Sequence, residues 1–298
     1  MDRRQFLRAS SLAALAAPLS AVGISTATAP SANALGPVLG TVLDYAAGVP
    51  SGAAVKAAGH IGAVRYVSQR RPGTENWMIG KPVTRTETDD FAAHGLAVAS
   101  VYQFGTGNTA DWLPGAEGAA THAPQAIDLH RTAGGPTGVP IYAAIDDNPT
   151  RAQYDNQIRP YLTGFRDRLH AAGLKLGIYG NFNVIDWAIA DGLGEFFWQH
   201  DWGSAGKIHP RTTLHQVAGK QATVGGVTCD INDVYASNWG QWTPGHPAAT
   251  PTPGGLGSAQ LLDLNQPYTI PGTNITVTGN QILELLSKGQ NLSSTLGI

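Results

Sequence analysis

Eight short apolar segments, separated by amphipathic or turn-rich stretches, restrict the architectures open to this chain more than any other feature. They cover residues 38–45, 63–68, 97–104, 141–146, 175–179, 196–199, 213–217 and 227–231. Each is too short for a buried helix and suits a strand. Between the fourth and fifth, Arg151 to Ala172 carries Tyr154, Ile158, Tyr161, Leu162, Phe165 and Leu169 at helical spacing. Strand and helix alternating eight times predict a mixed α/β fold, a (β/α)8 TIM-type barrel. The crossover from residue 199 to 213 contains Gly203, Gly206 and Pro210. That leaves little room for a helix, so the barrel is expected to be somewhat irregular on this side. A doubly wound open sheet is the structural alternative, and no GxGxxG phosphate loop supports it.

The two ends read differently. Residues 1–34 open MDRRQFLR, continue in an Ala- and Leu-rich run containing Pro18, and finish in small residues. Twin arginine, apolar run and small-residue cleavage site are the order of a twin-arginine signal peptide. The run is also shorter than the roughly 20 residues of a membrane span. The expected product is exported, secreted or held at the cell envelope, with no stable span. Removing Asp2, Arg3, Arg4 and Arg8 from 21 acidic and 19 basic residues leaves 20 and 16, a balance that argues against a nucleic-acid partner. The single cysteine, Cys229, cannot close an internal disulfide. The barrel is expected over residues 35–242, at the typical size for such a fold. A Pro- and Gly-rich linker, 243–257, follows, and then a short C-terminal extension, 258–298, with alternation through 268–277 and a helix-like segment at 280–288. Forty residues without disulfide or metal are marginal alone, so the extension is expected to dock on the barrel or on another copy.

In a barrel of parallel strands, chemistry sits at the C-terminal strand ends, and this chain repeatedly places a carboxylate there. Asp44 closes the first segment, Asp146 the fourth and Asp230 the eighth. Period-two alternation puts each opposite an apolar face and into the barrel mouth. A lone Asp after a strand reads more simply as a helix cap, but three on one predicted inner face point to a site. In PIYAAIDDNP, residues 140–149, Asp146 and Asn148 share the pocket side, while Asp147 points away; Asp147 or Thr150 is expected to cap the following helix. Tyr102, Gln103, Tyr179, Trp198, Gln199, His200, Gln216 and Asn232 supply aromatic and amide groups of the kind that stack on and hydrogen-bond to sugars. Arg65, if it faces inward, needs an anion, and Asp44 on the neighbouring strand is its expected ion-pair partner. No metal-spacing cluster is present and no cofactor is expected.

The segments LDYAAG, VRYVSQRRP, YQFGTG, IYAAIDDNP, GIYGN, FWQHDWG, LHQV and VGGVTCDIN, spread from Leu39 to Trp242, resemble actinobacterial twin-arginine-exported proteins of a glycoside-hydrolase-like family of unknown function. That family is distantly similar to the family 25 lysozymes, or muramidases. The resemblance implies that Asp44 matches their strand-one aspartate, Asp146 the first member of their Asp-x-Glu, and Asp230 with Asn232 their Asp-x-Asn. Asn148 stands where those lysozymes keep the glutamate that protonates the leaving oxygen, and an amide cannot take that role. Two functions follow. One is an acid-assisted hydrolase of cell-wall glycan, with Asp146 as acid and Asp44 or Asp230 as partner. The other is a catalytically inactive glycan-binding or envelope structural protein that retains the groove.

Overall fold

The structure is a computed structural model that describes residues 35–247 and two further short strands. Eight strands close a barrel: β1 (Gly40–Asp44), β2 (Gly62–Tyr66), β3 (Ala97–Tyr102), β4 (Pro140–Ala144), β5 (Lys175–Gly180), β6 (Phe196–His200), β7 (Leu214–Val224) and β8 (Val227–Val234). Parallel pairing runs from β1 to β7 in order. Closure is antiparallel: β8 pairs in reverse with both β7 and β1. The expected barrel is therefore present, and its irregular side is where Gly203, Gly206 and Pro210 fall. No helix separates β6 from β7, and only the Gly225–Gly226 turn separates β7 from β8.

The other crossovers hold helices α1 (Gly52–Ala57), α2 (Arg85–Ala93), α3 (Ala116–Thr132), α4 (Arg151–Gln153), α5 (Arg159–Ala171) and α6 (Phe182–Ala190). Between α4 and α5 the chain widens into a π-helical turn, Tyr154–Ile158, because Pro160 has no amide hydrogen for the preceding carbonyls. Thr150, not Asp147, opens this segment. Its hydroxyl accepts from the Gln153 amide, and Gln153 Oε1 accepts from the Thr150 amide. Asp147 instead accepts from Trp112 Nε1 at 2.9 Å.

Alternation along each strand separates two cores. Val42, Val64, Ala99, Tyr142, Trp198 and Leu214 fill the barrel. Leu43, Phe91, Ile141, Phe165, Leu176 and Ile178 pack between strands and helices. Each fully buried side chain of this size contributes about 1.5–3 kcal/mol. Cys229 lies in the outer layer, where burial pushes its thiol up to about 11.

After β8 the chain runs along the end of the barrel where the parallel strands begin. Trp239 is buried in the inner core, with its carbonyl accepting from the Tyr142 hydroxyl at 2.9 Å. Strand β9 (Trp242–Thr243) pairs with β3 through Val98 and with β10 (His246–Pro247). Folded structure thus extends five residues into the segment read as linker. Beyond it, β11 (Pro267–Thr269) and β12 (Thr276–Thr278) pair antiparallel, at the two ends of the stretch 268–277 where alternation is expected. The signal-peptide reading of residues 1–34 and the helix-like segment at 280–288 lie outside the described residues. Among the described residues no helix is long and apolar enough to cross a membrane.

Candidate functional site

A cavity of about 180 Å³ opens at the C-terminal end of the parallel strands, and Asp44, Asp146 and Asp230 all line it. Asp44 and Asp230 are direct cross-strand partners on β1 and β8, so their side chains are neighbours. Asp230 reaches the mouth because β8 runs backwards: it lies in the first half of that strand instead of at its end. Asp146 follows β4, three strands from β1 around the ring, and so occupies the facing wall.

Asp44 is 2% exposed. Both hydrogen bonds that the described residues give its carboxyl fall on Oδ2, from Asn232 Nδ2 at 2.7 Å and Gln216 Nε2 at 3.0 Å. Burial, reinforced by the charge of Asp230, pushes its pKa up to about 7 despite those two donors. Asp44 is thus a carboxyl able to hold a proton near neutrality. Asp146 Oδ2 accepts from Gln103 Nε2 at 2.9 Å, and Asp230 Oδ1 accepts from Gln221 Nε2 at 2.7 Å.

Aromatic walls tie these groups together. The Tyr179 hydroxyl donates to Gln216 Oε1 at 2.5 Å, and Trp198 Nε1 donates to Asn232 Oδ1 at 2.7 Å. Tyr179, Trp198, Gln103 and Gln216 line the cavity. Asn232 is fully buried behind Asp44 and fixes it. Tyr66 also lines the cavity and was not among the expected residues, although alternation from Val64 would have found it. Lys81 is the harder omission. Its Nζ lies 3.8 Å from the Tyr66 ring centroid and donates to the Gln103 carbonyl at 3.0 Å, with burial pushing its pKa down to about 7. It comes from the loop after β2, where no periodicity marks a side chain's direction.

Five expectations are corrected by the geometry. Arg65 points outward: it pairs with Glu87 of α2, donates to the Tyr45 and Gly80 carbonyls, and stacks on the Tyr45 ring. Val64 and Tyr66, on either side of it, take the inner face, and Asp44 is left without an arginine partner. Tyr102 likewise turns out to α3, where its hydroxyl meets His122 Nδ1 and Gln125 Oε1. Gln199 is fully buried outside the barrel, donating to the Lys207 carbonyl and accepting from the His209 amide, so it shapes the β6–β7 loop. His200 lies behind Tyr179, with ring centroids 5.0 Å apart, and does not line the cavity. Asn148 is exposed beyond the end of β4, where Oδ1 accepts from Asn181 Nδ2 at 3.0 Å. Gly203, which crosses beside it, has φ +76°, a conformation that strains any side chain, and a Cβ there would also push against that oxygen. Among the described residues no group of His, Cys, Asp and Glu is placed to hold a metal ion.

Residues 53–236 match the family model described as an Rv2525c-like, glycoside hydrolase-like domain. The Mycobacterium tuberculosis protein Rv2525c, named provisionally as a peptidoglycan hydrolase, is 46% identical over 243 residues, covering 81% of this chain and 99% of the relative. The crystal structure of that Tat-secreted protein in complex with L-tartrate superposes with a TM-score of 0.66 at 51% identity, covering 69% of this chain and 100% of the other. A slighter likeness is to the lysozyme of Streptomyces coelicolor, TM-score 0.43 at 18% identity, over 65% of this chain and 91% of the lysozyme. With more than half of its length matched by the model and most of it by a relative, the chain belongs to the Rv2525c-like glycoside hydrolase-like family.

Proposed function

We propose that this protein is an exported hydrolase of cell-wall glycan of the peptidoglycan type, with Asp44, Asp146 and Asp230 as its catalytic residues. The observation that carries the reading is the convergence of the three carboxyls on one aromatic-walled cavity, with Asp44 buried beside Asp230. Glycoside cleavage needs a protonated carboxyl at the leaving oxygen and a second carboxylate across the bond. Two adjacent carboxyls hold one proton between them more readily than none. The burial of Asp44 beside Asp230 supports giving the acid's role to Asp44 in place of Asp146. Asp44 gives its proton to the glycosidic oxygen as the bond to the anomeric carbon breaks. Asp146, held by Gln103 on the facing wall, stabilises the developing positive charge and takes the proton of the attacking water. Tyr179 and Trp198, both buried, brace Gln216 and Asn232, the two amides that hold Asp44. Export is supported by the sequence of residues 1–34 and by the secreted relative.

A second reading, glycan binding without turnover, is favoured by one observation. Asn148 replaces the proton donor of the resembling lysozymes and is committed to Asn181 outside the cavity. The test is release of reducing ends from purified peptidoglycan. The hydrolase reading expects release that drops about 10²–10⁴-fold in Asp44→Asn. Binding with no release, weakened by Trp198→Ala, would replace it with the second.

A further inference from the structure

Two of the seven tryptophans are exposed, Trp77 at 50% and Trp202 at 59%, and both stand on loops at the mouth. Trp77 follows β2 and Trp202 follows β6. In a closed ring of eight these strands are four apart, so the loops face each other across the cavity. Strand spacing near 4.8 Å and a tilt near 36° give such a ring a diameter of about 15 Å, wider than a disaccharide is long.

Both loops are pinned. On the β2 side, the Gly80 amide donates to the Ala46 carbonyl at 2.8 Å, and a Cβ on Gly80 would approach the Gly48 carbonyl oxygen to 2.4 Å. Lys81 fastens the same loop to Tyr66 and Gln103. On the β6 side, Asp201 accepts from His215 at 2.7 Å and from the Ala218 amide at 2.8 Å, and the Ser204 hydroxyl donates to the His200 carbonyl at 2.7 Å. The Trp202 ring lies 6.4 Å from the His200 ring, which backs Tyr179. Fixed loops that hold large aromatic faces in water on both sides of a carboxylate cavity are preorganised for stacking.

From this geometry we infer that Trp77 and Trp202 are the outer platforms of a binding track that crosses the mouth from the β2 loop to the β6 loop. The ligand class is an extended glycan strand engaged along its length, as opposed to a chain end or a small sugar. This rests on the glycan reading of the cavity and adds the track's direction and the polymer requirement.

The experiment measures affinity of the full chain for the β-1,4-linked N-acetylglucosamine dimer and hexamer by intrinsic fluorescence or calorimetry. Wild type is expected to bind the hexamer much more tightly than the dimer. Trp77→Ala and Trp202→Ala should each reduce the hexamer-to-dimer affinity ratio by about tenfold, and Trp→Phe at either position should restore most of it. Circular dichroism checks that the variants are folded. A ratio unchanged in both alanine variants overturns the track even where Asp44→Asn abolishes peptidoglycan cleavage. A ratio that collapses in a protein releasing no reducing ends upholds the track and defeats the hydrolase. Equal affinity of wild type for dimer and hexamer, or none for either, also overturns the track.

Discussion

From β1 to β6 the barrel is a regular succession of parallel strands and covering helices; from β6 onward it abandons helices and closes with a reversed hairpin. The regular side supplies Asp44 and Asp146 at strand ends, where a parallel barrel always presents its chemistry. The closing side supplies Asp230, Gln216 and Asn232 from the interiors of antiparallel strands. The first places acids; the second sets the protonation of one of them. Burial first, and then the charge of Asp230, raises the pKa of Asp44, while Asn232 and Gln216 hold one of its oxygens.

Removing groups from each side separates these roles, and the largest effect falls on turnover. Asp146→Asn, from the regular side, should lower reducing-end release by about 10²–10⁴-fold at every pH. Asp230→Asn, from the closing side, should instead move the alkaline limb of the pH–rate profile to lower pH. An Asp230→Asn profile superimposable on wild type would dissolve the distinction.

The next effect is on stability. Glu87→Ala leaves the Arg65 guanidinium buried without its counter-charge and should cost about 3–5 kcal/mol in urea unfolding, because that pair joins α2 to β2. Smaller, and of opposite sign, is Asp44→Asn. The folded pKa of Asp44, about 7, lies above that of an unfolded aspartate. Its stabilising contribution is complete below about pH 4 and is lost as pH rises through 7. The Asn variant should therefore match wild type near pH 4 and exceed it by about 2–4 kcal/mol at pH 8. Identical pH slopes for the two proteins would remove Asp44 as the proton holder. The smallest is Thr150→Ala, which deletes the cap before α4 and should cost about 1 kcal/mol, with Asp147→Ala leaving that helix start unaffected.

Strand positions and their inner faces were legible because period two is read one residue at a time: Val42, Asp44, Ala144, Asp146, Trp198 and Gln216 all fall where alternation puts them. The same rule, applied strictly, would have excluded Arg65, Tyr102 and Gln199 and included Tyr66. Those three carry side chains whose chemistry suits a sugar site, but their register faces out of the barrel. Asn148 and Lys81 could not be read this way. Each lies beyond a strand end, where loop contacts with Asn181 or Tyr66 decide direction. The reversal of β8 was equally hidden, since an antiparallel strand has the same period as a parallel one. Only the Gly225–Gly226 turn, too short for a crossover, marks it.

That reversal also decides where the polypeptide enters and leaves. An eighth parallel strand would deliver the chain to the rim of the cavity. Running backwards, β8 ends beside the start of β1, and the Leu39 amide donates to the Val234 carbonyl at 2.7 Å. Entry at residue 39 and exit through β9 and β10 therefore share the floor of the barrel. Chain joined to either end of the described barrel therefore starts from the floor, on the side away from the cavity.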